Sequence, residues 1–190
     1  MSQTIDDGPA ASAHKDAPGK VAESAEHLSG SSTAARAVTI NRPVSEVFAA
    51  FRDFSRLPEF MENVERIDVL DDKRSHWVVK APGGRTVEWD AVLTEEQPNR
   101  VLAWTSEKGA DVANSGRVEF KEVAGRGTVV TATILYDPPA GAIGKLVAKL
   151  FQREPAIQAR RDLRRFKQLL ETGEIATPAM NRKQFEEMGL

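Results

Sequence analysis

Histidine is the side chain best suited to general acid–base chemistry near neutral pH, and the sequence holds three of them. His14 and His27 lie in a polar N-terminal region, which leaves His76 as the candidate in the part predicted to fold. His76 is adjacent to Trp77 in a strand-like segment, so the two side chains point to opposite faces. If Trp77 faces the core, His76 faces water, and the pattern favours a solvent-facing histidine.

Other arrangements that carry out catalysis or bind metals have little support. The sequence contains no cysteine, which excludes disulfides, thiolate nucleophiles and cysteine-based zinc sites. It has no Gly-x-Ser-x-Gly elbow, and its carboxylates do not cluster at metal-ligand spacing. Neither glycine-rich segment precedes a helix, so neither is a phosphate-binding loop. Gly83-Gly84 and Gly125-Arg126-Gly127 fit hairpin turns instead. We therefore predict no catalytic residue, no metal site and no cofactor.

The tryptophans are more informative than the titratable residues. Trp77, Trp89 and Trp104 lie on three different strand-like segments, and the first two flank a turn at residues 82–84. That placement predicts that Trp77 and Trp89 are neighbours on one face of a sheet. Aromatic residues on an inner face either pack against a helix or line a pocket for an apolar ligand, and both interpretations stay open.

A sheet and two helical regions must position these residues. The segment at residues 85–96 alternates Val87, Trp89 and Ala91 with Glu88 and Asp90, which indicates one buried and one wet face. This assigns the two carboxylates to the solvated face. The predicted strands are residues 35–40, 64–70, 75–81, 85–96, 101–106, 116–123 and 128–136.

Helical segments precede and follow the last six strands. Asn41 is a candidate cap for a helix that begins near Pro43, and residues 53–61 form either a second short helix or a loop. Apolar spacing predicts a long helix from about Ala142 to Gly173, with a break just before Pro155. The fold class is therefore α+β, with a curved seven-stranded antiparallel sheet around a long C-terminal helix. A cavity between the two is expected.

Composition sets the wider limits. The 190 residues are 41% hydrophobic and carry a net charge of −2, so no nucleic-acid partner is predicted. We expect three parts: a disordered N-terminal tail at 1–33, one domain at 34–173 and a C-terminal tail at 174–190. The N-terminus lacks the pattern of a secretory signal and no stretch approaches a bilayer span, which predicts a cytoplasmic location.

The chain resembles the START-like, or helix-grip, superfamily, and within it the bacterial cyclase/dehydrase group related to coenzyme-Q-binding proteins and polyketide cyclases. The resemblance covers residues 38–175. It is carried by NRPVSEVF from residue 41, FSRLPEFM from 54, SHW from 75, VEW from 87, YDPP from 136 and DLRRFK from 162.

The resemblance implies that a hydrophobic small molecule, such as a lipid, quinone or polyketide-like compound, binds between sheet and helix. Because the sequence offers no catalytic constellation, we predict a non-enzymatic protein that binds or transports it. Residues 54–61 and 137–141 resemble segments at the open end of such a cavity and are the expected gate. The predicted ligand-binding residues are Trp77, Val87, Trp89, Ala91, Trp104, Val118, Phe120, Tyr136, Leu163 and Phe166.

Two other functions remain open. A polyketide-type cyclase or dehydratase would need an acid or base in the cavity, for which the candidates are Asp90, Arg117, Tyr136 and His76.

A membrane-peripheral or protein-interaction module would use the last helix, which carries eight basic and three acidic residues. That basic face either contacts an anionic membrane weakly or is an ordinary solvated face. The basic residues are Lys145, Lys149, Arg153, Arg160, Arg161, Arg164, Arg165 and Lys167. The oligomeric state and the role of the tail after Gly173 stay open.

Overall fold

The computed structural model describes residues 32–81, 83–137 and 155–176. Several predictions fall outside these ranges: the tail before residue 32, most of the second gate segment, the first part of the last helix and the C-terminal tail after residue 176. The basic residues Lys145, Lys149 and Arg153 lie outside them as well.

Seven strands form one antiparallel sheet in the order β1-β7-β6-β5-β4-β3-β2, which confirms the predicted architecture. The fifth strand has the predicted bounds, and the others differ from their predictions by at most three residues; the first strand begins at Ser32. The strands are β1 Ser32–Ile40, β2 Val64–Val69, β3 Arg74–Ala81, β4 Arg85–Gln97, β5 Val101–Ser106, β6 Ala113–Val123 and β7 Gly127–Asp137.

The sheet curls around its inner face. Register shifts interrupt the β2–β3 pairing between Val64 and Arg66 and the β4–β5 pairing between Leu93 and Glu95. Irregularities of this kind bend a strand and increase its twist, so they help the sheet to wrap around its contents.

The first helix, α1, spans Val44–Arg52 and buries Val47, Phe48 and Phe51. The prediction that Asn41 caps it is wrong, because the cap position is Pro43 and no side chain bonds the helix terminus. The backbone N–H of Asn41 instead donates to Glu171 Oε1 at 2.7 Å. The ambiguous segment that follows is a 3-10 helix at Phe54–Glu59.

The last helix, α2, spans Pro155–Thr172 and packs along β1. Gly173 ends the helix as predicted, with a φ of +78°, and its N–H donates to the carbonyl oxygen of Leu169 at 2.8 Å.

Cationic side chains attach α2 to the rest of the domain. Lys167 Nζ donates to the Thr39 carbonyl at 2.8 Å, and Arg165 Nε donates to the Phe60 carbonyl at 3.0 Å. Arg42 donates to the carbonyls of Leu170 and Glu171 at 3.0 Å each. Arg165 and Lys167 therefore serve the fold, which corrects their assignment to a merely solvated basic face.

Aromatic rings from all layers meet in the main core. Phe51 of α1 lies with its ring centroid 5.9 Å from that of Phe120 on β6 and 5.5 Å from that of Phe166 on α2. Phe60, which follows the 3-10 helix, is 4.6 Å from Phe166. These side chains are nearly fully buried, so the region beneath α1 and α2 is closely packed.

One carboxylate lies in this contact region. Asp162 of α2 accepts hydrogen bonds from the Glu62 N–H at 3.3 Å and from Gln158 Nε2 at 2.9 Å. Burial raises the pKa of Asp162 to about 6, although these hydrogen bonds and the charge of Arg165 favour the carboxylate. Because this pKa exceeds the ordinary value of 3.8, the stability due to Asp162 falls as the pH rises from about 4 to 6.

Replacing Asp162 with asparagine should therefore stabilise the protein at neutral pH. We expect Asp162→Asn to raise the free energy of unfolding at pH 7 by about 1 to 3 kcal/mol, and by less at pH 4.5. Urea unfolding at the two pH values measures this difference. The exposed Asp72→Asn is the control, and an equal effect of Asp162→Asn at both pH values would contradict the prediction.

Candidate functional site

The inner faces of β3 and β4 carry an aromatic row. Trp77 and Trp89 are direct partners across the two strands, and their rings stack with centroids 6.2 Å apart and planes 10° from parallel. Phe54 of the 3-10 helix lies 6.3 Å from Trp77. Trp77 Nε1 donates to Ser75 Oγ at 2.9 Å, which fixes the orientation of the indole. The row therefore runs from the predicted gate segment onto the sheet.

A second apolar cluster adjoins this row. It is separate from the main core and consists of Val79, Ala81, Val87 and Val112, all buried. Trp89 is partly buried and packs against both clusters. The apolar interior thus has two regions, and Trp89 lies where they meet.

Trp104 occupies its own position on β5, opposite Gly116 on β6. A Cβ atom built at Gly116 would lie only 2.1 to 2.6 Å from atoms of the Trp104 indole. The φ of Gly116 is not positive, so the need for glycine there comes from the ring and not from the backbone. This contact holds the indole flat against the inner face.

The predicted ligand-binding residues divide between these regions. Val87 belongs to the second cluster, whereas Trp89 and Trp104 are partly buried. Tyr136 is paired with Asn114 in the backbone register, and its side chain lies outside the described part of the structure. The remaining six are buried in the main core: Trp77, Ala91, Val118, Phe120, Leu163 and Phe166.

His76 lies on the outer face, as the alternation with Trp77 predicts. Its Nδ1 is 2.8 Å from Asp90 Oδ1, and its Nε2 is 3.5 Å from Glu88 Oε2. The side chain is 27% exposed, so it is partnered rather than freely solvated. The sequence interpretation missed this cluster of His76, Asp90 and Glu88. His76 and Asp90 nevertheless flank the same turn as the two tryptophans, and each lies one residue further from the turn than its neighbouring tryptophan.

Arg117 is also turned away from the interior. It alternates with the buried Val118 and forms ion pairs with Glu95 on β4 and with Glu119, the latter at 3.3 Å. The residue is 7% exposed, and its guanidinium is fully engaged by these carboxylates on the outer face. Arg117 therefore does not enter the space between sheet and helix.

Two grooves on the described part of the surface include residues predicted to bind the ligand. One, of about 270 Å³, separates α1 and the 3-10 helix from α2 and includes Phe166 in its lining. The other, of about 310 Å³, lies beside His76, Asp90 and the loop at residues 108–111, and includes Trp89. Each contains one residue of the predicted ligand-binding set.

Metal ligands do not converge in residues 32–81, 83–137 and 155–176, where no group of three or more His, Asp or Glu residues could hold an ion. None of the helices within the same ranges has the length and hydrophobicity that a bilayer span requires.

Comparison with known proteins adds to this geometry. The family model for polyketide cyclase/dehydrase and lipid transport matches residues 40–164. An uncharacterized 17.2 kDa protein of Streptomyces lincolnensis is 31% identical over 135 residues, which are 70% of this chain and 86% of that protein.

Solved structures share the fold. A protein of Deinococcus radiodurans has a TM-score of 0.62 and 39% identity, with 75% of this chain and 99% of that chain covered. An aromatase/cyclase of Streptomyces sp. R1128 has a TM-score of 0.60, with 77% of this chain and 99% of that chain covered. Its identity is only 14%, so that likeness is one of fold.

Adding a methyl group at Gly116 should displace Trp104. We expect Gly116→Ala to lower the free energy of unfolding by about 1 to 3 kcal/mol, because the ring must leave its rotamer. Thermal unfolding measures the effect. In a Trp104→Ala background, Gly116→Ala should lower the free energy of unfolding much less. An equal loss in both backgrounds would contradict the close contact between Gly116 and Trp104.

Proposed function

We propose, from the premise that this chain belongs to the polyketide cyclase/dehydrase and lipid-transport family, that it binds or transports a hydrophobic small molecule without chemically altering it. The family and the helix-grip fold indicate a cyclase/dehydrase-like or START-type ligand-binding protein. The finer proposal is that the ligand is a lipid, quinone or polyketide-like compound held between sheet and helix.

The observation that carries this proposal is the aromatic row of Phe54, Trp77 and Trp89 beside the second apolar cluster. We place the ligand on the inner face of the sheet, in contact with Trp77, Trp89 and Trp104. Val118, Phe120, Leu163 and Phe166 then form the base of the site, since they already pack together in the main core. A ligand that buries about 200 Å² of apolar surface gains about 5 kcal/mol before ordering costs.

The polar residues favour binding over catalysis. Three of the four candidate acids and bases lie on the outer face: His76 and Asp90 contact each other, and Arg117 forms ion pairs with Glu95 and Glu119. Proton transfer needs a group within hydrogen-bond reach of the substrate, and none of these three points toward the inner face. The fourth candidate, Tyr136, is described only in its backbone.

The 3-10 helix is suited to act as a gate. Phe54 contacts the ring of Trp77, so movement of this helix would uncover the aromatic row. Just after it, Arg165 and Asp162 of α2 bond the Phe60 carbonyl and the Glu62 N–H. These two bonds anchor the chain just after the 3-10 helix, and we propose that residues 54–59 open about this point.

A second function is favoured by the surface of α2. Arg160, Arg161 and Arg164 are exposed, whereas Asp162 turns inward to the Glu62 N–H. We propose that these arginines attract the protein weakly to anionic membranes, where an apolar ligand would be collected or delivered. The cytoplasmic location, the three-part domain division and the lack of a nucleic-acid partner stay predictions.

Ligand binding can be tested on freshly purified protein. We expect native mass spectrometry and solvent extraction to reveal a co-purifying apolar compound. Trp89→Leu should lower the bound fraction about tenfold, because the indole supplies much of the contact area. The control Asp90→Asn, one residue along the same strand but on the outer face, should retain the ligand. Repeated preparations without any bound compound would contradict the proposal.

If α2 contacts anionic membranes, the binding of the protein to vesicles depends on the charge of the lipids. Co-sedimentation with vesicles that contain 30% phosphatidylserine should exceed that with pure phosphatidylcholine, and should decrease as salt rises from 50 to 300 mM. Arg160→Gln/Arg161→Gln/Arg164→Gln should abolish the difference. The triple control Lys80→Gln/Lys121→Gln/Arg126→Gln removes the same charge from exposed strand and turn positions and should not. Binding that ignores lipid charge and salt would refute this function.

A further inference from the structure

Two buried side-chain polar atoms have no hydrogen-bond partner among the described residues, Trp89 Nε1 and Ser115 Oγ. Ser115 belongs to the outer-face set with Arg117, two positions along the same strand. Trp89 belongs to the inner face and adjoins both apolar clusters. The unpartnered indole N–H therefore lies in the region where the ligand is proposed to bind.

The sequence provides an acceptor for one tryptophan of the stacked pair and not for the other. Two residues before Trp77 on the same face is Ser75, whose hydroxyl accepts its N–H. The same-face neighbours of Trp89 on its own strand are Val87 and Ala91, which have no side-chain acceptor.

The ring of Trp77 cannot replace the missing acceptor. An indole N–H lies in the plane of its own ring, and the planes of Trp77 and Trp89 differ by only 10°. The N–H of Trp89 consequently runs parallel to the face of Trp77 instead of pointing into it. A buried donor without a partner destabilises a fold, so it requires an explanation.

We infer that the Trp89 Nε1–H is a ligand-binding group that donates a hydrogen bond to a carbonyl oxygen. This inference rests on the proposed function and specifies the ligand class: a planar, largely apolar molecule that carries a ketone or quinone-type carbonyl. The stacked indoles suit a flat ring system. A neutral carbonyl also costs less to transfer into these apolar surroundings than a carboxylate does.

Binding at this atom requires a local opening. Nε1 is shielded from solvent, so a ligand must displace the groups that cover it before the bond can form. The new hydrogen bond then satisfies a donor that was unpartnered in the free protein. For this reason a ligand with the carbonyl should be preferred over one of the same shape without it.

9-Fluorenone and fluorene are suitable probes, because they share a flat tricyclic shape and differ in a carbonyl against a methylene group. Dissociation constants are measured by tryptophan quenching for the wild type, Trp89→Phe and Trp77→Phe. We expect the fluorene-to-fluorenone ratio of dissociation constants to fall about five- to tenfold in Trp89→Phe. Trp77→Phe removes contact area for both probes alike, so both dissociation constants should rise. Their ratio should stay unchanged, because the lost N–H was already bonded to Ser75.

The wild-type protein provides a second readout that does not depend on a variant being folded. In a ¹H–¹⁵N spectrum, fluorenone should move the Trp89 indole proton downfield and slow its exchange with water, whereas fluorene should do neither.

The outcomes separate this inference from the proposed function. If both probes bind, but the ratio is the same in all three proteins and the indole proton responds equally to both, the carbonyl inference is wrong and the binding function stands. If neither probe binds the wild type, both are overturned.

Discussion

The antiparallel register between β3 and β4 is the constraint on which both faces of the candidate site depend. It pairs Trp77 with Trp89 and, one step further out, His76 with Asp90. A shift by one residue would turn the tryptophans outward and bury a histidine with carboxylates. The turn helps to prevent this, because Gly83 and Gly84 both adopt positive φ angles, which glycine reaches without steric cost.

The helices are held to this sheet by charge as well as by apolar packing. Three cationic side chains, Arg42, Arg165 and Lys167, donate to backbone carbonyls on another element. Hydrogen bonds of this kind are stronger than neutral ones, and they satisfy carbonyl groups at the end of a helix or strand. The basic residues of α2 thus divide into those that join the domain together and those, such as Arg160 and Arg161, that remain at the surface.

Local patterns in the sequence predict the order of elements, the inward side of β3 and β4 and the end of α2 at Gly173, because these depend on alternation and on one glycine. The pairing of His76 with Asp90 was also within reach, since it follows from the register that pairs the tryptophans. Other features depend on distant residues. The start of α1 is one, because Asn41 bonds Glu171, 130 residues away.

The contact between Trp104 and Gly116 was not accessible from sequence for a similar reason. It depends on the register between β5 and β6, which the connecting loop at residues 107–112 sets through its own bonds to β4. The division of the interior into two apolar clusters likewise needs the three-dimensional arrangement, because the members of the second cluster come from three separate parts of the chain.

The distribution of polar groups over the two faces connects the fold to the function. On the outer face, Arg117 forms ion pairs with Glu95 and Glu119, and His76 contacts Asp90, so these polar groups already have partners. On the inner face around Trp77 and Trp89, the Ser75 hydroxyl is already used by an indole. In the proposed site, apolar surroundings with one unpartnered indole donor would select a ligand by shape and by the position of its acceptor, and the three outer-face residues would not reach it for proton transfer.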